Sequence, residues 1–442
     1  MRKKVIIGIV AVLAAGSLII VASIAYLLTG FVIGTRSFWT GYATMNAGDY
    51  TKAAQSFDKT IALPVGARWR AYALANRGYC FEWLKENKRA MADYSAALRL
   101  MPRLTFALQR RGFVKDSLGQ PDSAYADYTA ALQIDPNLGE AWRRCGLYQM
   151  RLDHHERAVA DFREAIRSFP GFEAAYREQG EACRLLGDHE GALSSFDAAI
   201  ALMPRDAQAY CGRGRVFLER YDFPRALADL DYAALLAPSD RYILRWRAIA
   251  YYRMDDYNTA IAQLNEILKL DPKDEHALQR RALAYRQIKH YEHALADFTE
   301  LIRISHTKDA YIDRARTYAR AGRYSLAVAD YHEAERHPHG SFHSHSKRLP
   351  WLLATCPVDK FRNSAEALRL ASAECDSTMW LEKDDLDTFA AACAEAGRFD
   401  EAVYYEERAL QISENDPEWD IHASIRLALF RNHQPYREQP EK

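Results

Sequence analysis

Apolar and small residues recur along this chain at helical spacing, with one pattern returning about every 34 residues. A small residue is followed twelve positions later by Ala, then an aromatic, then Ala, then Pro. The register reads Gly78, Ala90, Tyr94, Ala97, Pro102; Gly112, Ala124, Tyr128, Ala131, Pro136; Gly146, Ala158, Phe162, Ala165, Pro170; Gly180, Ala192, Phe196, Ala199, Pro204; and Gly214, Ala226, Leu230, Ala233, Pro238. Small residues let two antiparallel helices approach closely, and the proline stops the second helix. Each repeat therefore reads as a helical hairpin that buries its apolar face against its neighbours.

Earlier and later repeats keep the pattern less strictly. Gly41, Tyr50, Ala53 and Phe57 fit a first repeat whose Pro64 comes one residue early. The repeat from Glu275 keeps Ala282, Ala294 and Phe298, but has Leu301 where Ala is usual and no terminating proline. A ninth shows Ala315, Ala327, Tyr331 and Ala334, and another lies around Ala390, Gly397, Phe399, Ala402 and Ala409.

These residues resemble the tetratricopeptide-repeat (TPR) family over most of the chain. The resemblance implies an all-α fold, a right-handed superhelical solenoid of antiparallel helix pairs, with first helices lining a concave groove. It divides the chain into a TPR array of about nine repeats over 29–341, an irregular segment over 342–382, a further repeat over 383–416, and a capping helix and tail over 417–442. The run Trp351 to Pro357, the helix Ser364 to Cys375 and the tail Gln434-Pro435-Tyr436-Arg437-Glu438 resemble a C-terminal region of some bacterial TPR proteins. Pro350, just before Trp351, is expected to shorten the first of these helices or start it there.

Ahead of the array, residues 1–4 carry Arg2, Lys3 and Lys4, and no charge falls between Val5 and Leu28. As a helix this stretch is ~36 Å long, enough for a ~30 Å hydrocarbon core. It reads as a transmembrane signal-anchor over 5–28, with the N-terminus cytoplasmic and the array extracytoplasmic, on the bacterial envelope or periplasmic side. Ser23-Ile24-Ala25 offers small residues to a leader peptidase, but the apolar run exceeds an ordinary leader core of roughly 7–15 residues.

Charge sorts by position within the repeat, although the formal net charge is +0 and predicts no nucleic-acid affinity. Arg77, Arg111, Arg213, Arg247, Arg281 and Arg314 directly precede the small contact residue, and Asp93, Asp127, Asp229, Asp297 and Asp330 stand on the opposing helices. These read as structural ion pairs in the seam between helices. A second set shares another face of the first helices: Arg110, Arg143, Arg144, Arg151, Arg177, Arg184, Arg215, Arg245, Arg253, Arg280, Arg286, Arg316 and Arg320, with Tyr79, Trp83, Trp246 and Tyr252 between them. An Arg-rich, partly aromatic groove fits a protein or peptide partner bearing acidic side chains or a free carboxylate. Glu178, Glu181 and Glu219 neutralise part of that face.

The function expected is a membrane-anchored TPR scaffold or adaptor, without cofactor, small-molecule substrate or enzymatic activity. The alternative is a cytosol-facing import or chaperone-tail receptor. TPR domains that clamp chaperone tails use Lys, Asn and Arg; Asn76 and Arg110 match two places, while Phe38 and Phe106 occupy the lysine places. His337, His339, His343 and His345 are the one local cluster with metal-ligand chemistry, and read as a loop that replaces a regular turn. The seven cysteines show no CxxC spacing and read as free packing thiols. No nucleophilic, Walker-type, HExxH or dinucleotide motif occurs.

Overall fold

The structure is a computed structural model that describes residues 2–337, 349–413 and 416–438, excepting the side chains of 2–19 and 21. Every element among the described residues is helical. The chain forms two compact units, Met1–Arg220 and Tyr221–Lys442. In the first, α1 (Arg2–Asn46) pairs with α2 (Tyr50–Ala62). Four further pairs follow: α3 (Ala67–Trp83) with α4 (Asn87–Leu100), α5 (Thr105–Ser117) with α6 (Pro121–Ile134), α7 (Gly139–Arg151) with α8 (His155–Ser168), and α9 (Glu173–Leu185) with α10 (His189–Leu202). The unit ends on α11 (Ala207–Glu219).

The second unit opens on α12 (Phe223–Leu236). Three pairs come next: α13 (Arg241–Arg253) with α14 (Tyr257–Leu270), α15 (Glu275–Gln287) with α16 (Tyr291–Ser305), and α17 (Lys308–Arg320) with α18 (Tyr324–Glu335). Then come α19 (Leu349–Thr355), a single 3-10 turn (Asp359–Phe361), α20 (Ser364–Ser377), α21 (Lys383–Glu395), α22 (Phe399–Ile412) and α23 (Pro417–Arg431). Pro350 sits at the start of α19, where its missing N–H costs no helical hydrogen bond.

Gly-to-aromatic packing sets the distance between paired helices. A Cβ added at Gly112 or Gly146 would lie 2.7 or 2.6 Å from the ring of Tyr128 or Phe162, so only glycine permits those approaches. Tyr94, Phe162, Phe196 and Phe298 are accordingly buried. Helix starts are also specified locally. Asp188, Asp206, Asp222, Asp240, Asp256 and Asp274 each cap a helix by accepting from its backbone N–H groups.

The turn inside the hairpin takes one left-handed residue: Lys85, Gly119, Asp153, Gly187, Tyr221, Asp255, Lys289, Gly322 and Gly397. Glycine enters this conformation freely, whereas each side chain there costs about 1–2 kcal/mol. The irregular helix α16 lacks a terminating proline and ends instead on left-handed His306, with Leu301 buried.

α1 continues from the apolar N-terminal stretch into the first repeat without a break. Gly30, Gly34 and Gly41 are its contact points with the repeat, where an added Cβ would meet Pro64, Val65 and Phe57. No helix searched among the described residues is long and apolar enough to cross a membrane. Most of Val5–Leu28 lies outside the described side chains.

The C-terminal closure carries an ionic core. Arg426 on α23 places Nε 2.6 Å from Asp387 on α21 and 3.1 Å from Glu406 on α22, and all three side chains are at most 2% exposed. Trp351, Trp419 and Tyr436 surround the guanidinium at 5.6, 5.8 and 5.9 Å. Burial and the neighbouring Asp387 charge hold the Glu406 carboxyl well above the usual range, against the pull of Arg426. The tail folds back over α19: Trp351 Nε1 donates to Glu438 at 2.7 Å, the Glu438 N–H donates to the Thr355 carbonyl at 2.9 Å, and Arg437 meets Glu395 at 2.6 Å.

Candidate partner-binding face

The two sets of arginines separate in space as well as in register. On the seam, Arg77 donates through Nε and Nη2 to both oxygens of Asp93 at 2.7 and 2.6 Å. Arg111 meets Asp127 at 2.8 and 2.6 Å, Arg281 meets Asp297 at 2.8 and 2.6 Å, and Arg314 meets Asp330 at 2.7 and 2.8 Å. Each fork is the bidentate geometry that a planar guanidinium favours. Arg77 and Arg281 also reach back to the preceding repeat, at Asp58 and Asn265. Arg213 and Arg247 reach back in the same way, toward Asp197 and Asp231, both at 2.6 Å.

First helices touch along a second face: α3 with α5, α7 with α9, and α9 with α11. Here the structure replaces the expected open arginine groove with a ladder of ion pairs. Arg110 pairs with Glu82, while Arg143 reaches Glu140 at 2.9 Å and Glu178 at 2.6 Å. Arg144 shares Glu140 at 2.8 Å, and Arg151 meets Asp116 at 2.9 Å. Arg177 bridges Glu173 at 2.7 Å and Asp206 at 2.6 Å; Arg184 bridges Glu181 and Glu219, and Arg215 meets Glu181 at 3.0 Å. Burial pushes the Glu178 carboxyl up, against the pull of Arg143.

In the second unit Arg245 lies 3.2 Å from Asp274, and Arg286 lies 3.4 Å from Asp313 with its guanidinium driven down by burial. Trp246 is half-buried edge-on to Tyr242 at 6.2 Å, and Arg253 is exposed. Arg280 is exposed and has no ion-pair partner among the described residues.

The physical reason is periodicity. A carboxylate one repeat along returns to the same face beside the arginine, at separations of 35 residues for Arg143–Glu178 and Arg184–Glu219 and 34 for Arg215–Glu181. A face that counts as basic by its arginines is thereby neutral in pairs.

Aromatic rings cover the N-terminal part of this face. Trp83 is 52% exposed and stacks on Tyr50 with centroids 5.2 Å apart and planes 1° from parallel. Tyr79 lies edge-on to Trp83 at 6.2 Å and tilted against Phe106 at 6.1 Å. The Arg110 guanidinium sits between Tyr79 and Phe113 at 4.9 and 5.0 Å, and Arg144 covers Phe113 at 4.9 Å. Rings and guanidinium planes thus alternate across α3, α5 and α7. Sequence reasoning named Tyr79 and Trp83 but missed the part played by Tyr50 and Phe113, although both lie one repeat or less from residues already on that face.

The clamp alternative meets a specific obstacle. Asn76 donates its amide to the Tyr72 carbonyl at 2.8 Å, Arg110 is paired with Glu82, and Phe38 is buried. Neither polar group is left directed at a partner's carboxylate.

Among the described residues no group of three or more His, Cys, Asp or Glu side chains is placed to hold a metal ion. His337 stacks on Tyr311 at 5.0 Å, while His339, His343 and His345 lie outside the described residues. All seven cysteines are buried and unbridged, and burial pushes the thiols of Cys80, Cys375 and Cys393 up to about 12.

Family models described as tetratricopeptide repeat match residues 107–138, 143–210, 213–281 and 275–306. The helix pairs within those residues match tetratricopeptide repeats. Solved structures similar to the chain include YrrB, described as a TPR protein with an unusual peptide-binding site, at 23% identity and TM-score 0.39 over 43% of this chain and 96% of that one. A tetratricopeptide repeat protein from Parabacteroides merdae matches at 20% identity and TM-score 0.44, over 57% and 98%. An IFIT1 monomeric mutant solved with Gppp-AAAA matches at 14% identity and TM-score 0.47, over 87% and 91%. No curated protein matches. TPR proteins generally act as protein-interaction scaffolds without enzymatic activity, and the matched models indicate no catalytic family.

Proposed function

We propose that the chain is a membrane-tethered TPR scaffold that holds an extended peptide segment of a protein partner on the first-helix face of its N-terminal unit. The observation that carries the reading is the stack in which exposed Trp83 and Phe106 flank half-buried Tyr79, Arg110, Phe113 and Arg144. Aromatic and arginine side chains are the residue types that dominate binding energy at the centre of an interface.

Ion-pair exchange assigns the partner's carboxylates a secondary role. A peptide carboxylate reaching Arg110 or Arg144 displaces Glu82 or Glu140, so one pair is traded for another and the net gain is small. The rings supply the affinity, and an acidic or terminal carboxylate supplies register and selectivity. Within the second unit, taken by itself, Arg280 is available to such a carboxylate without exchange, and Arg245, Trp246, Arg253 and Arg286 are candidates of the same kind.

The tether rests on the uncharged stretch Val5–Leu28 behind Arg2, Lys3 and Lys4. Ile20, Ile24, Tyr26, Leu27 and Leu28 are each at least 50% exposed, which an apolar helix tolerates in lipid but not in water. The N-terminus then lies in the cytoplasm and the array outside it. A reporter fused after Lys442 that is active only outside the cytoplasm tests the topology, and activity of a cytoplasmic reporter there contradicts it.

Proximity labelling from the anchored protein, repeated with Trp83→Ala, tests the binding face. Loss of one ring at such a centre weakens binding by ~2 kcal/mol, roughly 30-fold. The partner's label should fall with it; an unchanged labelling pattern excludes this face.

A further inference from the structure

Between Arg111 and Arg213 two consecutive repeats lack the seam arginine, each differently. The repeat of α13 and α14, by contrast, keeps Arg247 but has Gln263 sixteen residues on, and pairs back to Asp231. The rule is an arginine before the small contact residue and an aspartate sixteen residues later, as in Arg77 with Asp93, Arg111 with Asp127, Arg281 with Asp297 and Arg314 with Asp330. In the repeat of α9 and α10 both members are replaced together, and Ser195 donates to Gln179 at 3.2 Å. A neutral pair stands there in place of an ionic one. In the repeat of α7 and α8 only one member changes: position 145 is Cys, and the aspartate remains as Asp161.

Asp161 is therefore the carboxylate of a pair whose cation the chain does not supply. Its side chain has no hydrogen bond or ion pair among the described residues, and it is half-buried with access to solvent. Burial, with the nearby Glu164 charge, pushes its carboxyl up to about 6, and no cation opposes the rise. Cys145 is 2% exposed and too short to reach the volume that a seam guanidinium takes. Tyr125, which stacks on Tyr148 at 4.3 Å and accepts from Gln149 at 3.1 Å, lies near enough to feel the charge of Asp161.

We propose that Asp161 receives a guanidinium from outside the chain, an arginine side chain of a protein partner seated in the register that Arg77, Arg111, Arg281 and Arg314 fill for themselves. The fourfold recurrence of the bidentate fork identifies the ligand chemistry, because this seam already accepts that group at matching positions in four other repeats. Arginine fits better than lysine, since only the planar fork spans both carboxylate oxygens. The site lies on the seam and is independent of the aromatic face and of the membrane tether.

The test uses the full-length protein in detergent micelles, with its aspartate carboxyl carbons labelled for NMR and Asp161→Asn used to assign the resonance. The probes are two blocked tripeptides, acetyl-Ala-Arg-Ala-amide and its citrulline counterpart, which keeps the shape without the charge. The arginine peptide should shift the Asp161 resonance saturably and lower its titration midpoint by roughly half a unit or more, with the citrulline peptide inert. Cys145→Arg should abolish the response by supplying the guanidinium from within. Equal response to both peptides, no response to either, or an undiminished response in a folded Cys145→Arg protein overturns the proposal. Should Cys145→Arg fail to fold, the comparison of the two peptides on the unaltered chain still decides.

Discussion

Replacing Glu406 with Gln should make the C-terminal closure less sensitive to pH and more stable under alkaline conditions. Two carboxylates, Asp387 and Glu406, face one guanidinium, and none of the three side chains is more than 2% exposed. Full ionisation would leave a net negative charge out of water, so the folded state keeps a proton on Glu406. The unfolded chain releases that proton near the ordinary value of 4.5.

Between that value and the raised folded one, the folded state binds more protons, and stability falls as pH rises. Each pH unit in that window removes ~1.4 kcal/mol. The contribution is complete below the ordinary value and is lost progressively above it. A glutamine in place of Glu406 cannot titrate yet still offers a donor toward Asp387. Thermal unfolding followed by tryptophan fluorescence reports locally once the other six of the eight tryptophans are replaced by phenylalanine in both proteins, because Trp351 and Trp419 flank Arg426. Between pH values of about 5 and 8 the Glu406→Gln variant should lose less stability per unit than the parent and should be the more stable of the two at the upper end. A parallel pH slope in both proteins, or a less stable variant at the alkaline end of that range, refutes the shared-proton account.

Further outcomes follow from the same geometry. Arg426→Met should cost ~3–5 kcal/mol, because it strands two buried carboxylates, and limited proteolysis should then release the tail first. Gly146→Ala places a methyl 2.6 Å from the Phe162 ring, so calorimetry should show a loss of about 1–3 kcal/mol. Arg281→Ala breaks a fork whose Asp297 partner is 9% exposed and should lower the melting temperature, while labelling of the partner by the first-helix face stays unchanged. Lys85→Gly relieves a left-handed side chain at φ 64 and should raise stability by ~0.5–1 kcal/mol in denaturant titration.

The repeat architecture was legible because its contact rule is local and recurrent. Gly78 meets Tyr94, Gly112 meets Tyr128 and Gly146 meets Phe162, each sixteen residues on, and the same count located four of the seam forks. The binding face was legible in place but not in charge. The sequence placed Glu178, Glu181 and Glu219 on that face but left out Glu82 and Glu140, which reach it from a repeat away or a turn away.

The closure triad left a signal that went unread. Ala402 opens a register in which the residue four later is aromatic or leucine elsewhere, as Ala90 precedes Tyr94 and Ala226 precedes Leu230, and here that residue is Glu406. A carboxylate at a buried ring position demands a partner, and Arg426 is that partner. The left-handed turns at Lys85, Asp153 and Asp255 were not legible, because side chains there carry no mark of the conformation that packing imposes.

The central claim is that the ring and guanidinium stack on α3, α5 and α7 is where a protein partner lies. Site-specific photo-crosslinking tests it most directly, with a photoreactive residue placed at Phe106, which is 37% exposed, and a control at Leu235 on α12, which is 73% exposed. The account predicts a discrete crosslinked partner from position 106 that disappears with Trp83→Ala, and none from position 235. An equal yield from both positions, or a product at 106 that survives loss of Trp83, contradicts it.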